Sequence, residues 1–498
     1  MQGLRRSLFL ITLPLATFGC LFSIDTATGQ IIPDNTLGAE SSVVNSNANT
    51  DLIDGGARRG ANLFHSFQEF NVGQEGKAYF SNPAGIENIL SRVTGGKPSN
   101  IFGKLGVADG NANLFFINPN GILFGTDARL DMRGSFLAST ANSLLFGGGL
   151  EFSAINPQVP PMLAINIPIG LRFRENPGSI TNQSVADGVG LQVSPGKSLS
   201  LVGGDISLDR GRLTAAGGQI ALGSLAGEGT VGLASDGGLS FPDGVARGNV
   251  LLTNGAQVDV TAGGGGNINI YAQDLDILEN SAICAGIGAA PTCGKRASDF
   301  GSVESKAGNV TLNTLNNLTI NQGSQVENVV NISASGNAGD INISTKNLNL
   351  TNGARLNAST FGEGNAGTIN ITADTVSFDG VDSTINDLGN TISIFTGALS
   401  RVENTAISDV SDAGEINITT KNLNLTNGAR LYVGILKEGK GKAGTINITD
   451  ADTVSFDGVG SNGFSSGAIS FVDKEATSSA AGSINITTTN LALTNGAQ

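Results

Sequence analysis

The sequence predicts an all-β protein whose strands wind into a right-handed parallel β-helix, or β-solenoid. Its composition is the first reason: the 498 residues include 71 glycines, and only 14% are charged, against about 7% glycine and about 25% charged residues in average proteins. The second is a set of short apolar runs about ten residues apart, with no helical periodicity. The third is an internal repeat in the C-terminal half. Parallel strands joined by crossovers favour the right-handed connection.

Residues 1–29 are predicted to be a signal peptide. Arg5 and Arg6 form a basic start, residues 8–22 are a 15-residue apolar run, and Ala27 to Gly29 are small residues suited to cleavage. A membrane-spanning helix needs about 20 apolar residues, so this run is too short to remain as an anchor. We expect the mature chain to begin near Gln30, in an extracytoplasmic compartment.

The next region is organised around residues 113–140, where two apolar runs are joined by a four-residue turn. In that turn proline presets φ at the second position, asparagine tolerates a left-handed backbone at the third, and glycine closes it. A looser Asn-Pro break with a glycine lies upstream, after the apolar run that ends at Phe80. The residues of the two breaks that we single out are Asn82, Pro83, Asn118, Pro119, Asn120, Gly121 and Ile122.

These motifs carry a family resemblance. Together with the Arg-Val-Thr-Gly-Gly run that starts at Arg92 and the Gly-Ser-Phe run that starts at Gly134, they resemble the N-terminal secretion domain of filamentous haemagglutinin-type exoproteins. Those proteins are the secreted partners of two-partner secretion systems, and the cyanobacterial branch is the most similar. The resemblance is densest over residues 30–178.

The resemblance implies a domain plan and a partner. Residues 30–248 would form the two-partner secretion domain, a β-helix with extra hairpins, and residues 249–498 a repetitive β-solenoid. A dedicated outer-membrane transporter would recognise the secretion domain. Asn82, Pro83 and residues 118–122 match the family motifs, so the resemblance assigns them to transporter recognition. The alternative is that these turns only stabilise the first coils.

The repeats of the C-terminal region predict stacked coils. Leu-Thr-Asn-Gly-Ala begins at Leu252, Leu350, Leu425 and Leu493. Ala-Gly-x-Ile-Asn-Ile begins at Ala338, Ala366, Ala413, Ala443 and Ala481. Alternating apolar and polar residues give each coil one buried face, which only stacking can cover. Coils of roughly 20–25 residues predict some 20 coils and a rod on the order of 100 Å.

The asparagines of the repeat permit two interpretations. Each is followed by Ile and then Ser or Thr, so the triplets match the acceptor motif for N-glycosylation. The same asparagines also occupy one fixed position in an alternating strand, where stacked side chains can pair along the coils. We favour the strand interpretation. The asparagines are Asn342, Asn370, Asn417, Asn447 and Asn485.

No residue pattern points to catalysis, to a metal site or to a cofactor. His65 is the only histidine and lacks the nucleophile or companion ligands that a catalytic or metal-binding role requires, so we expect it to be structural. The glycine run at residues 263–266 resembles a calcium-binding β-roll, but the required carboxylate is absent. We therefore expect no cofactor and no enzymatic activity.

The cysteines predict one disulfide. Beyond the signal peptide the chain has only Cys284 and Cys293. They flank a loop rich in Gly, Ala and Pro in a chain predicted to be exported, where disulfides persist. We expect a bridge between them that holds this loop.

Charge and repeat architecture indicate a secreted or surface-exposed protein. A net charge of −14 argues against a nucleic-acid partner. The leading hypothesis is an adhesin, associated with the cell surface and outer membrane, whose surface or matrix ligand the sequence does not identify. The alternatives are the stalk of a contact-dependent toxin that lacks its effector and, less favoured, a β-helical polysaccharide-active enzyme. The chain also stops within a repeat at Gln498, so we expect the solenoid to be truncated.

Overall fold

The computed structural model describes residues 29–288, 293, 299–385, 391–403, 411–436 and 439–498. The predicted signal peptide therefore lies outside the described residues, except for its last position. Within those ranges the chain consists of β-strands and turns with two short 3-10 helices, Gly147–Gly149 and Ala186–Gly188. The prediction of an all-β fold is confirmed. No helix in this part of the chain is long and apolar enough to cross a membrane.

Three stacks of strands, here called ladders 1, 2 and 3, form the sides of the coil. Ladder 1 is a parallel stack of thirteen strands in sequence order. Its inward residues are mostly apolar and, except on the last strand, buried, as Ile268 and Ile270 show. The strands are Asn62–Phe70, Asn88–Val93, Asn113–Ile117, Phe136–Ser139, Ser198–Gly203, Gln219–Ser224, Asn267–Ala272, Val310–Thr314, Ile341–Ser344, Ile369–Asp379, Ile416–Thr426, Thr445–Asp457 and Ser483–Thr494.

Ladder 2 follows ladder 1 in each coil and is also parallel. In the last four coils the two ladders run on as single long strands, so the C-terminal halves of those strands complete ladder 2. The separate strands of ladder 2 are Ser99–Ile101, Ile122–Phe124, Ile180–Asn182, Ile206–Asp209, Val250–Thr253, Leu275–Ile277, Asn317–Ile320 and Asn347–Thr351.

Ladder 3 closes the coil and consists of two sheets. The N-terminal sheet has five strands, and its first pair is an antiparallel hairpin. Its strands are Ser42–Asn47, Thr50–Gly55, Lys77–Ser81, Lys104–Ala108 and Arg129–Asp131. The second sheet has nine parallel strands. They are Leu191–Gln192, Arg212–Thr214, Gln257–Asp259, Ala282–Ile287, Gln325–Val330, Arg355–Asn357, Gly397–Val402, Arg430–Ile435 and Gly467–Val472.

The remaining strands lie outside the three ladders. Ile31–Pro33 and Ala57–Arg59 pair antiparallel with the first strand of ladder 1 and cover its edge. Five strands form an antiparallel sheet, namely Ser143–Leu145, Glu151–Ser153, Gly170–Phe173, Gly229–Leu233 and Leu239–Ser240. Three further pairs project from the coils: Gly301–Lys306 with Ser335–Asn337, Val381–Ile385 with Thr391–Phe395, and Lys440–Lys442 with Thr477–Ala480.

The antiparallel sheet confirms the predicted extra hairpins and creates a second core. The main core runs inside the coils along the whole ladder. In the N-terminal coils the outward side of ladder 1 is also apolar, with Phe115 and Leu137 almost fully buried. Phe152, Phe173 and Val231 of the antiparallel sheet pack on that side. Ladder 1 is thus buried on both faces here.

The predicted coil length was too short. Successive register partners on ladder 1 are 21 residues apart from Leu199 to Ile220 and 63 apart from Phe136 to Leu199, because hairpins and loops are inserted between strands. The described chain therefore makes thirteen coils rather than some 20. Twelve steps of about 4.8 Å give a stack of about 58 Å, not about 100 Å.

Candidate functional site

The turn that follows Asn113–Ile117 is held by a buried asparagine. Asn118 is fully buried, and its Nδ2 donates to the Lys97 carbonyl and to Ser99 Oγ, both at 3.0 Å. Its Oδ1 accepts from the backbone N–H of Asn120 at 3.0 Å and from Asn120 Nδ2 at 3.1 Å. The side chain therefore joins its own turn to the preceding coil, whose strand begins at Ser99.

The other residues of this turn fit closely against both neighbouring coils. The exposed Asn120 donates from Nδ2 to the Gly95 carbonyl at 2.7 Å. Gly121 has φ +119°, a backbone conformation that favours glycine. Ile122 begins the ladder 2 strand and is almost fully buried. On the following coil, Gly178 donates its N–H to the Pro119 carbonyl at 3.2 Å, and a Cβ on Gly178 would lie 2.6 Å from that oxygen.

The upstream Asn-Pro motif forms a separate turn. The Ile86 N–H donates to the Pro83 carbonyl at 3.1 Å, and Gly85 has φ +78°. The Asn82 amide donates to the Ile86 carbonyl at 3.1 Å and accepts from the N–H groups of Asn111 at 3.2 Å and Ala112 at 3.3 Å. Asn82 thus ties its turn to the next coil.

The two motifs lie at different corners of the coil. Asn82 and Pro83 are at the corner from ladder 3 to ladder 1, whereas residues 118–122 are at the corner from ladder 1 to ladder 2. The structure therefore brings Asn118, Asn120 and Gly121 together, with Ser99 and Gly95 of the preceding coil. It does not bring Asn82 and Pro83 into that cluster.

The family comparison matches the region that contains both turns. Residues 29–270, just under half of the chain, match the model of the TPS secretion domain.

Residues 29–270 are a TPS secretion domain.

Solved structures of secretion domains are also similar, although remotely. The HMW1 secretion domain from Haemophilus influenzae is 16% identical, with 93% of this chain and 100% of that chain covered and a TM-score of 0.46. The filamentous hemagglutinin secretion domain is 16% identical, with 68% and 95% covered and a TM-score of 0.30. None of the curated proteins matches the chain. At these scores the assignment rests on the family match.

The secretion domain contains a buried arginine whose role sequence reasoning missed. Arg92 is 1% exposed and donates to Ser66 Oγ at 2.9 Å, to Thr36 Oγ1 at 2.8 Å and to the carbonyls of Ser153 and Gln158, both at 2.9 Å. Its guanidinium lies 4.2 Å from the centre of the Phe152 ring. Burial lowers the pKa of Arg92 to about 10, which nearby Asp34 partly opposes.

Asp34 completes this network. Burial alone would raise the pKa of Asp34, but hydrogen bonds from Thr36, Thr94 and Ser66 lower it below its ordinary value. The network connects the N-terminal segment, two coils of ladder 1 and the antiparallel sheet. The Arg-Val-Thr-Gly-Gly run was the one sequence signal for it, and nothing in that run reveals which distant carbonyls Arg92 contacts.

The histidine of the secretion domain lies in the core of the fold. His65 is fully buried, and its ring centre lies 5.2 Å from that of Phe80. In the described part of the chain no group of three or more His, Cys, Asp or Glu residues is arranged to hold a metal ion.

Cys284 and Cys293 lie shortly after the residues that match the secretion domain, which end at residue 270. Cys284 belongs to the ladder 3 strand Ala282–Ile287, and Cys293 packs on it with Ala282. The two cysteines are bonded, with their Cα atoms 6.4 Å apart. The residues between 288 and 293 lie outside the described residues.

Proposed function

We propose that this protein is exported through a dedicated outer-membrane two-partner transporter and acts at the cell surface or in the medium. The TPS secretion domain at residues 29–270 carries this proposal, because a domain of this kind implies a cognate transporter. In the proposal the signal peptide at residues 1–29 directs the chain out of the cytoplasm. Export then occurs before the β-helix folds.

Folding coil by coil gives a physical reason for the direction of export. Each coil shares its apolar face with its neighbour, so a folded coil is a template for the next one. Every coil formed outside the membrane adds burial that offsets the loss of chain entropy and opposes return of the chain. The first strand of ladder 1 is covered by Ile31–Pro33 and Ala57–Arg59, so the N-terminal coils carry their own cap.

We assign recognition by the transporter to Asn82, Pro83, Asn118, Pro119, Asn120, Gly121 and Ile122, which match the family motifs. Asn118 donates hydrogen bonds to the preceding coil. In the following coil, the Gly178 N–H donates to the Pro119 carbonyl of the same turn. The turn therefore also has a structural role in the folded domain. Recognition of the unfolded chain and stabilisation of the folded one would act at different times.

We infer adhesion to a surface or matrix ligand as the function of the exported protein. A stack of about 58 Å with polar residues along its outer faces offers an extended binding surface. The family match is to a secretion domain rather than to an enzyme, and we assign no catalytic activity, no cofactor and no nucleic-acid partner.

Replacing Asn118 with Ala tests recognition against stability. Asn118 makes two side-chain donor bonds in a buried site, so we expect its removal to cost on the order of 2 kcal/mol of unfolding free energy. The control is Asn328→Ala. Asn328 is equally buried and donates to the carbonyls of Gly308 at 2.8 Å and Asp340 at 3.2 Å, but lies outside the secretion domain.

The measurement compares secreted protein, relative to protein made, with urea unfolding of each purified variant. We expect both variants to lose similar stability and only Asn118→Ala to lose most of its secretion. Asn120→Ala, which removes the two hydrogen bonds that this exposed side chain donates to the Gly95 carbonyl and to Asn118 Oδ1, should reduce secretion with little loss of stability. Equal secretion by Asn118→Ala and Asn328→Ala would show that the turn acts through stability alone.

A further inference from the structure

The segment between strands Glu151–Ser153 and Gly170–Phe173 exposes six large apolar side chains to solvent. Met162 is 73% and Leu163 is 74% exposed, and Val159, Ile165, Ile167 and Ile169 are between 38% and 53% exposed. We name these six side chains the apolar strip. Between them the inward positions are small or rigid, with Ala164 fully buried and Pro168 buried.

The segment is held in this orientation by buried side chains of the first coils. Arg59 Nε donates to the Pro160 carbonyl at 3.2 Å. Asn62 Nδ2 donates to the carbonyls of Ala164 at 2.9 Å and Asn166 at 2.7 Å, and Arg92 donates to the Gln158 carbonyl. These donors belong to the coils and hold the backbone of the segment on its inner side. The apolar strip therefore faces solvent in the folded domain.

Charge and area indicate what covers the apolar strip. The protein carries a net charge of −14, so two copies repel one another over most of their surface. Residues 152–171 contain no charged side chain, and contact through the strip would bury no fixed charge. The largest apolar patch of a typical monomer is about 300–600 Å². Two patches at the upper end of that range would together bury about 1,200 Å², the lower limit of specific interfaces.

We propose that the apolar strip is a contact between two copies of this chain. A second copy brings an uncharged apolar surface of equal size, and a twofold axis makes one patch complementary to itself. The proposal goes beyond export, because the strip exists only once the secretion domain has folded. The small area predicts a reversible dimer rather than a permanent one.

Sedimentation velocity of the full chain tests this proposal. We expect the dimer fraction to rise with protein concentration and with added NaCl, because salt screens the repulsion between the two negative proteins. Leu163→Asp should weaken the dimer at least tenfold by placing a charge in the interface. The matched control is Val303→Asp, which changes a 69% exposed residue of strand Gly301–Lys306 and should leave the dimer unchanged.

The thermal midpoints of both variants report whether they fold. If Leu163→Asp does not fold, Met162→Lys provides the same test at a similarly exposed position. A wild-type chain that is monomeric at every concentration, or a dimer unaffected by both strip substitutions, overturns the proposal. So does a monomer that floats with phosphatidylcholine vesicles and loses this binding on Leu163→Asp, since the strip would then bind lipid.

Discussion

At the scale of single residues, the one histidine shows how burial determines chemistry. His65 Nδ1 lies 3.1 Å from Ser42 Oγ. That hydroxyl oxygen already accepts from the Ser66 N–H at 3.1 Å, so its proton is available to the imidazole. His65 Nε2 is buried without a hydrogen-bond partner in the described structure. Burial lowers the pKa of His65 to about 3, against a smaller opposing effect of Asp54.

This burial predicts a pH-dependent stability. The unfolded chain has a histidine pKa of about 6.5, so between about 6.5 and about 3 the unfolded state binds more protons than the folded one. The contribution of His65 is therefore fully present above about pH 6.5 and is lost as the pH falls. We expect the free energy of unfolding to drop by roughly 1.4 kcal/mol per pH unit below about pH 6. Urea unfolding between about pH 7 and about pH 5 measures it.

His65→Phe is the control for this prediction, because it keeps an aromatic ring beside Phe67 and Phe80 and removes the chain's only histidine. Its stability should be nearly constant over the same pH range, where most carboxylates are still ionised. Parallel pH profiles for the two proteins would mean that other groups cause the change.

At the scale of elements, the repeated asparagines form a hydrogen-bonded ladder. Asn370 Nδ2 donates to Asn342 Oδ1 at 2.9 Å, and Asn417 Nδ2 to Asn370 Oδ1 at 3.0 Å. The series continues from Asn447 to Asn417 and from Asn485 to Asn447, both at 2.8 Å. The strand interpretation of these triplets therefore has a physical basis, since each inner amide both donates and accepts along the stack.

Substitution within this ladder should depend on position. Asn417→Ala removes one donated and one accepted hydrogen bond between coils, so we expect a loss of about 1–2 kcal/mol. Asn485 donates one such bond and lies on the last coil, and Asn485→Ala should cost well under about 1 kcal/mol. Urea unfolding of the two variants compares them. Equal losses would exclude a cooperative ladder.

The turns after ladder 2 alternate from coil to coil. Leu350, Phe378 and Leu425 are successive register partners, so the Leu-Thr-Asn-Gly-Ala copies that begin at Leu350 and Leu425 lie two coils apart. The Asp379 carboxylate accepts from Thr426 Oγ1 and, at 2.8 Å, from Asn427 Nδ2. Asn427 and Gly428 both have positive φ, at +54° and +89°, which is the geometry that Asn-Gly turns favour. One turn sequence thus supplies the carboxylate and the next supplies its donors.

The disulfide is the remaining prediction at this scale. Cys284 is fully buried in a ladder 3 strand, and a bridge to Cys293 closes a nine-residue separation. Chain-entropy arguments give it roughly 2–3 kcal/mol. We expect both thiols of the secreted, non-reduced protein to resist maleimide labelling after unfolding, and to react only after reduction. Labelling without reduction would rule the bridge out.

At the scale of the whole molecule, the two halves of the chain bury their coils differently. In the secretion domain ladder 1 is covered on its outward side by the antiparallel sheet, and the N-terminal edge is covered by added strands. The C-terminal coils have longer strands and outward polar residues that pair along the stack. The apolar strip lies on the more decorated half, so the proposed contact between copies would leave the C-terminal coils free for a surface ligand.

The sequence by itself determined the fold class and the positions of the turns at Asn82 and Asn118, because the alternation of apolar and polar residues and the turn preferences of Asn-Pro and Asn-Gly are local properties. The number of coils could not be predicted from local sequence, because loops of unequal length separate the strands. Only the register of the folded sheet shows that Phe136 pairs with Leu199. Tertiary structure also decided that Asn118 contacts Lys97 and Ser99, and that Arg92 holds the Gln158 carbonyl. Such contacts join residues that are far apart in the sequence, and most of their partners are backbone carbonyls, which every residue carries.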